Sequence, residues 1–340
     1  MKNHSRLAYV DIAKGVAMLL VIIGHCSYSE KVLVGWLYSF HMPLFFALSG
    51  FTFRPEKYKS LREVVSVKAR QLIVPYFFFS ALLWMLSLLL LDGMHLEYRH
   101  MNELIGIVLS NRLSDYFFAL WFLTTLFLAE PILWLMLRFT RARTLLLLPL
   151  SIVAFFAGSV VLNALHGTYW SADLVPIALS FLLLGYMLRH WMDRFQALSK
   201  SILPLLAAWS VNLLFFWLNY IQVGRSDLYF CKLGNPLYFF LSACGGTLGA
   251  ILLCQRIARC AELEYVGRNS MVFYAFESLA IPLSERLLRS AVGSSALQGT
   301  SHFATLMVLS LSCGMLAIAS TLFRNRGYFV GTQRPVHLYS

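Results

Sequence analysis

Residues 9–53 read YVDIAKGVAMLLVIIGHCSYSEKVLVGWLYSFHMPLFFALSGFTF. Two strongly apolar runs are joined by a short polar turn near 29–32, and Asp11, Lys14, His25, His41 and Ser49 lie within them. A spanning helix needs roughly 20 mostly apolar residues, so the stretch reads as a transmembrane hairpin. An ionisable side chain in hydrocarbon costs a few kcal/mol by insertion scales, which makes each one a functional candidate.

The whole chain extends this pattern. Of its 340 residues 59% are apolar and only 13% are charged, against about 25% charged in a soluble domain. Ten apolar stretches of spanning length follow one another, at approximately 9–28, 33–53, 72–91, 116–137, 144–163, 173–189, 202–220, 236–256, 269–289 and 302–323. The expected architecture is therefore all-α: a polytopic membrane helical bundle of about ten spans, forming one domain over residues 1–340. The first run is too long for a signal-peptide core and lacks a small-residue cleavage site, so it is expected to be retained. The longest connection, about 92–115, has room for a short interfacial helix.

The net charge of +12 would suggest nucleic acid on a soluble protein. Here the positive-inside rule accounts for most of it. With both termini in the cytoplasm, only seven of the 28 Lys and Arg face outward: Lys31, Arg99, Arg112, Arg225, Lys232, Arg286 and Arg289. No nucleic-acid partner is needed; the surroundings are membrane lipids. The six cysteines form no C-x-x-C pair and mostly sit in apolar runs, as packing residues do. No H-E-x-x-H metal spacing, Gly-rich phosphate loop or G-x-S-x-G elbow is present. No metal is expected.

The chemistry-bearing residues begin on the first helix. Lys14 and His25 are eleven residues apart. That is close to three helical turns, so both point the same way, about 16 Å apart along the axis. Asp11 lies one turn before Lys14 and shares the face. Such a polar stripe must face a bundle interior or a wet cavity, although Asp11 and Lys14 also suit an interfacial ion pair with a snorkelling lysine. His41 precedes Pro43, which is expected to break the second helix locally. Ser49-Gly50 suits close helix contact. A basic loop, 54–70, leads into the third span, and Lys68 and Arg70 there suit either phosphates or anionic lipid head groups. Two acids lie in apolar runs, Glu130 before Pro131 and Glu277 in mid-span; the sequence does not choose which faces His25. Trp121 is one of many aromatic residues near helix ends, where an interfacial belt is the ordinary reading.

YVDIAKGVAMLLVIIGH, then FHMPLFFALSGF, then RQLIVPYFFF resemble the membrane-bound acyltransferase-3 superfamily. ALWFLTTLFLAE, LLLGYMLR and VGRNSMVFYAFE resemble later blocks of its fucose 4-O-acetylase-like branch. The likeness runs from about Arg6 to about Arg324. It implies an integral membrane enzyme of the cell inner membrane. This enzyme would move an acetyl group from cytoplasmic acetyl-CoA to a sugar hydroxyl of a surface polysaccharide or its lipid-linked precursor. The resemblance makes His25 the essential histidine. O-acetyl transfer needs a base near neutral pKa, which makes His25 the general base, an acetyl-histidine intermediate being the variant. Asp11 or Glu130 is the supporting carboxylate, Asp11 lying too far along the axis to touch His25. Lys14, Lys68 and Arg70 are then expected at the CoA phosphates, and His41, Ser49, Trp121 and Glu277 on the acceptor side. Many relatives carry arginine where this chain has Lys14, and some carry histidine where it has Glu277. The rival expectation is a transporter or flippase for a sugar or lipid intermediate, which would also want a polar stripe through a bundle. Oligomeric state is not legible.

Overall fold

A computed structural model of the chain describes residues 8–90, 104–110, 120–165, 167–194, 201–293 and 301–323. They form thirteen helices of eight residues or more: α1 Ala8–His25, α2 Lys31–Tyr38, α3 His41–Thr52, α4 Leu61–Lys68, α5 Val74–Leu90, α6 Trp121–Phe139, α7 Thr144–Leu165, α8 Val175–Arg194, α9 Ile202–Val223, α10 Pro236–Arg256, α11 Ala261–Arg268, α12 Ser270–Val292 and α13 His302–Phe323. Among the described residues there is no strand, only one isolated bridge between Asp227 and Lys232. The protein is a polytopic helical membrane protein. Nine segments are long and apolar enough to cross a bilayer among the described residues. The expected tenth, α12, has the length but carries Glu277, Glu285, Arg286 and Arg289. Its two acids are buried against the bundle. Leu145, Val160, Leu203, Ile221, Ile318 and Leu322 point outward from α7, α9 and α13, as lipid-facing side chains do.

The second span is not one helix. It breaks at Ser39–Phe40, three residues before Pro43. Pro43 is the third residue of α3, where its missing N–H is an orphan in any helix. It therefore starts α3 rather than kinking a longer helix. The break frees carbonyls of the last turn of α2, and polar side chains satisfy them. Ser39 Oγ donates to Trp36 O at 2.7 Å, and His41 Nδ1 bonds Leu37 O at 2.8 Å. Asn212 on α9 secures the break from outside: its Oδ1 accepts from Trp36 Nε1 at 2.6 Å and its Nδ2 donates to Ser242 O at 2.9 Å. Ser242 Oγ in turn donates to Ser39 Oγ at 3.0 Å.

The basic segment 54–70, expected as a loop, is mostly helical. A short 3₁₀ turn, Pro55–Lys57, is followed by α4. Ser60 Oγ caps α4 by accepting from Glu63 N at 3.3 Å; the S-x-x-E spacing is an N-terminal helix signature. Between α4 and α5 the chain widens into a π turn, Ala69–Ile73, in which Val74 N reaches back to Ala69 O. Pro75 explains it: the ring would clash with the carbonyl four residues earlier, and widening the turn relieves that contact. Of the 92–115 connection only 104–110 lies within the described residues, helical over 104–109; Arg99, Arg112 and both chain termini lie outside them.

Glycines set the closest helix contacts. A Cβ on Gly50 of α3 would stand 1.9 Å from Leu182 O, and one on Gly185 of α8 1.9 Å from Ala47 O. The two backbones touch, as small-residue interfaces in membranes allow. Helix α1 threads the middle of the bundle, packing on α2, α3, α10, α11, α12 and α13.

Candidate functional site

His25 is the last residue of α1, and the turn after it is bound tightly to α12. Ser27 N and Oγ both donate to Glu285, at 2.7 and 3.0 Å. Arg289 Nε donates to the Tyr28 hydroxyl at 2.8 Å. Two turns back along α12, Glu277 takes His25 itself. Nδ1 lies 2.9 Å from Oε1 and 2.8 Å from Oε2. A carboxylate only accepts, so Nδ1 carries the proton and donates to both oxygens. This leaves the Nε2 lone pair as the ring's basic atom. Glu277 is 1% exposed, while the His25 side chain is 40% exposed.

That exposure is to a cavity of about 430 Å³. Its wall includes Val21, Tyr38, His41, Met42, Trp121, Tyr229, Tyr274, Ser278 and the charged pair Arg225 and Asp227. Tyr38 packs edge-on to both histidines, with ring centroids 6.2 Å from His25 and 4.8 Å from His41. An apolar aromatic wall with a few placed polar groups is the usual form of a small-molecule site. The chemistry available is general-base catalysis: an oriented imidazole, partly shielded from water, with an acid behind it.

Of the residues singled out in the sequence, His25, His41, Trp121 and Glu277 meet at this cavity. Trp121 turns inward, 6% exposed, instead of standing in an outer aromatic belt. Glu277, not Glu130, is the acid that holds His25. Glu130 lies elsewhere, with Oε2 2.9 Å from Lys68 Nζ. The ammonium also lies 5.3 Å from the Phe53 ring centre. Arg70 is exposed and donates to Ser66 Oγ at 3.2 Å. Ser49 stands outside the cavity wall, beside the α3–α8 contact. Asp11 and Lys14 lie at the opposite end of α1, where Gly15 and Gly267 bring α11 against the helix backbone. Because α1 is unbroken from Ala8 to His25, the rise from Lys14 to His25 is about 16 Å.

Sequence reading did not single out Arg225 and Asp227. Arg225 entered only as an outward charge. The available signal was two opposite charges two residues apart in a short loop between two apolar runs. Arg225 Nη2 lies 3.1 Å from Asp227 Oδ2, and the guanidinium carbon 4.6 Å from the Tyr38 ring centre. Burial pushes the Asp227 carboxyl above the usual carboxylate range, with Arg225 opposing the shift.

Comparison with known proteins adds an independent line. A family model described as an acyltransferase domain, acyltransferase-3, matches residues 7–322. Nodulation protein NolL of Mesorhizobium japonicum (strain LMG 29417 / CECT 9101 / MAFF 303099) is 23% identical over 353 residues, covering 96% of this chain and 89% of that protein. No solved structure matches.

Proposed function

The chain belongs to the acyltransferase-3 family, and from that premise we propose that it transfers an acetyl group from cytoplasmic acetyl-CoA to a sugar hydroxyl. The acceptor is a surface polysaccharide or its lipid-linked precursor, and the place is the cell inner membrane, with both termini cytoplasmic. The observation that carries the reading is the His25–Glu277 pair at the cavity wall.

Glu277 fixes the ring and stabilises the imidazolium as it forms. Nε2 of His25 takes the proton of the acceptor hydroxyl as its oxygen attacks the thioester carbonyl. The new C–O bond forms, the C–S bond breaks, and the CoA thiolate leaves with the proton held on His25. The donor enters from the Lys14 end of α1, and an extended pantetheine arm suits the roughly 16 Å to His25. Lys14, Lys68 and Arg70 receive the CoA phosphates. Arg70 is the exposed cation of the three, whereas Lys68 is drawn to Glu130. Glu130 therefore acts through Lys68, and Asp11 through the same inner mouth. His41 serves the cavity as a wall residue whose Nδ1–H is already committed to Leu37 O.

The test is release of CoA thiol by the purified chain with acetyl-CoA and acceptor. It is joined by mass spectrometry of surface polysaccharide from cells with and without the gene. Loss of CoA release and of the acetyl increment in His25→Ala, at equal expression, supports the reading; retention of both at wild-type level refutes it. A transporter of a sugar intermediate would leave acetyl-CoA unconsumed.

A further inference from the structure

The loop joining α9 to α10, residues 224–235, is built too firmly to be a mere connection. Gly224 ends α9 at φ +68° with its N–H on Tyr220 O. Asp227 and Lys232 then exchange backbone hydrogen bonds at 2.6 and 2.8 Å, closing the loop into a ring. Inside the ring Asp227 Oδ1 accepts from Tyr229 N at 2.9 Å. Buried Asn219 anchors the ring to α9. Its Nδ2 donates to Ser226 Oγ and Leu233 O, both at 2.8 Å, and its Oδ1 accepts from Asn235 N at 2.8 Å. A Cβ on Gly234, at φ +74°, would meet Asn219 Oδ1 at 2.5 Å, so only glycine lets the chain pass that close. What this scaffold presents to the His25 cavity is Arg225, Asp227, Leu228, Tyr229 and Phe230.

We propose that the Arg225–Asp227 pair is the acceptor-recognition element of this site and that it selects a neutral pyranose with adjacent hydroxyls. The inference rests on the acyl-transfer reading above and adds the substrate class. Adjacent hydroxyls ask for a donor and an acceptor side by side. The guanidinium keeps unused N–H donors beyond its bond to Asp227, and the carboxylate keeps lone pairs. Both are held in place before the sugar arrives, which lowers the ordering cost of binding. Trp121 and Tyr229 line the same cavity and supply the aromatic surface on which a sugar's C–H groups pack. The pair carries no net charge, and Glu277 stands on the same wall. An anionic sugar would therefore meet repulsion from Asp227 without an unpaired cation to offset it. An apolar alcohol would bury the pair without replacing its hydrogen bonds to water.

The experiment uses the full chain in lipid nanodiscs with saturating acetyl-CoA, and reads CoA release against a methyl hexoside, its uronic acid analogue and its deoxy analogues. Wild type is expected to favour the neutral hexoside over the uronoside by about tenfold or more, the scale of one hydrogen bond to a charged group. Arg225→Gln and Asp227→Asn raise the acceptor KM by a similar factor, with the KM for acetyl-CoA unchanged. Asp227→Asn also narrows the preference for neutral over anionic sugar, a change that a purely structural role would not produce. Arg225→Lys, kept for the case that Arg225→Gln fails to fold, retains charge but not the planar fork and gives an intermediate KM. An unchanged acceptor KM in both Arg225→Gln and Asp227→Asn, or a wild-type preference for the uronoside, overturns this inference. If CoA release also depends on His25, the acyl-transfer reading survives that outcome. If wild type releases no CoA with any acceptor, both fall together.

Discussion

Replacing Glu277 by Gln removes one charge and almost no volume, and so isolates what the acid does for His25. Both carboxylate oxygens lie within 2.9 Å of Nδ1, and the group is 1% exposed, so water cannot substitute for it. A hydrogen bond to a charged group contributes about 1.5–3 kcal/mol. Most of that is needed when the ring becomes an imidazolium. Since about 1.4 kcal/mol of barrier is tenfold in rate, kcat should fall roughly 10- to 150-fold. Loss of the base itself in His25→Ala should cost about 10²–10⁴-fold. Because Glu277 acts only through the imidazole, the double variant should be no slower than His25→Ala, within about threefold. The assay is CoA thiol release in nanodiscs at saturating acetyl-CoA and methyl hexoside, with equal recovery by size exclusion. A Glu277→Gln kcat within about twofold of wild type, or losses that multiply in the double variant, would refute this role for Glu277.

Other parts of the molecule make separate predictions. Gly50→Leu and Gly185→Leu should each lower the thermal midpoint sharply, because a side chain there meets a backbone carbonyl that cannot withdraw; an unchanged midpoint would mean that α3 and α8 do not touch. Lys68→Met should destabilise by about 3–5 kcal/mol by stranding the buried Glu130 carboxylate, and adding Glu130→Leu should restore most of it; thermal denaturation in one detergent checks the pair. For Asp227 the folded pKa is raised by burial, so acidification through that range protonates the native loop before an ordinary aspartate would titrate. The folded state binds this proton more tightly than the unfolded chain does, so stability gains from this group as pH falls and loses it as pH rises. Acceptor affinity moves the other way: KM for the hexoside should climb on acidification above the usual aspartate range, and Asp227→Asn should flatten that profile.

The fold was legible where apolar runs end abruptly. The expected spans 236–256 and 302–323 coincide with α10 and α13, because Pro236 opens one and polar residues flank the other. The second span misled because Pro43 looks like a helix breaker. The real interruption, Ser39–Phe40, depends on Asn212 and Ser242 arriving from distant helices. The basic segment 54–70 was read for its charge, which hid the capping signature of Ser60 and Glu63. At the site, an ionisable residue in an apolar run, its helical phase with Lys14 and the family resemblance all drew attention to His25. Choosing Glu277 over Glu130 required knowing which helix lies beside the end of α1, a tertiary fact that periodicity does not carry. Arg225 and Asp227 stayed hidden for a different reason. They sit in a loop whose shape comes from Asn219 and two positive-φ glycines, so no regular spacing marks them.

The π turn between α4 and α5 also acts as a phase adjuster. Each residue of an α-helix rotates the chain by about 100°, and the widened turn accommodates one residue more than a regular ladder would. The rotational setting of α4 relative to α5 thus depends on that surplus residue. Removing any one residue from Ala69–Ile73 would force a regular ladder and bring back the clash at Pro75. It would also swing Lys68 roughly a quarter-turn away from Glu130 while Tyr76 and Phe79 stayed seated in the core. Length in this segment is therefore under tighter constraint than residue identity, and single-residue deletions there should be less well tolerated than most substitutions.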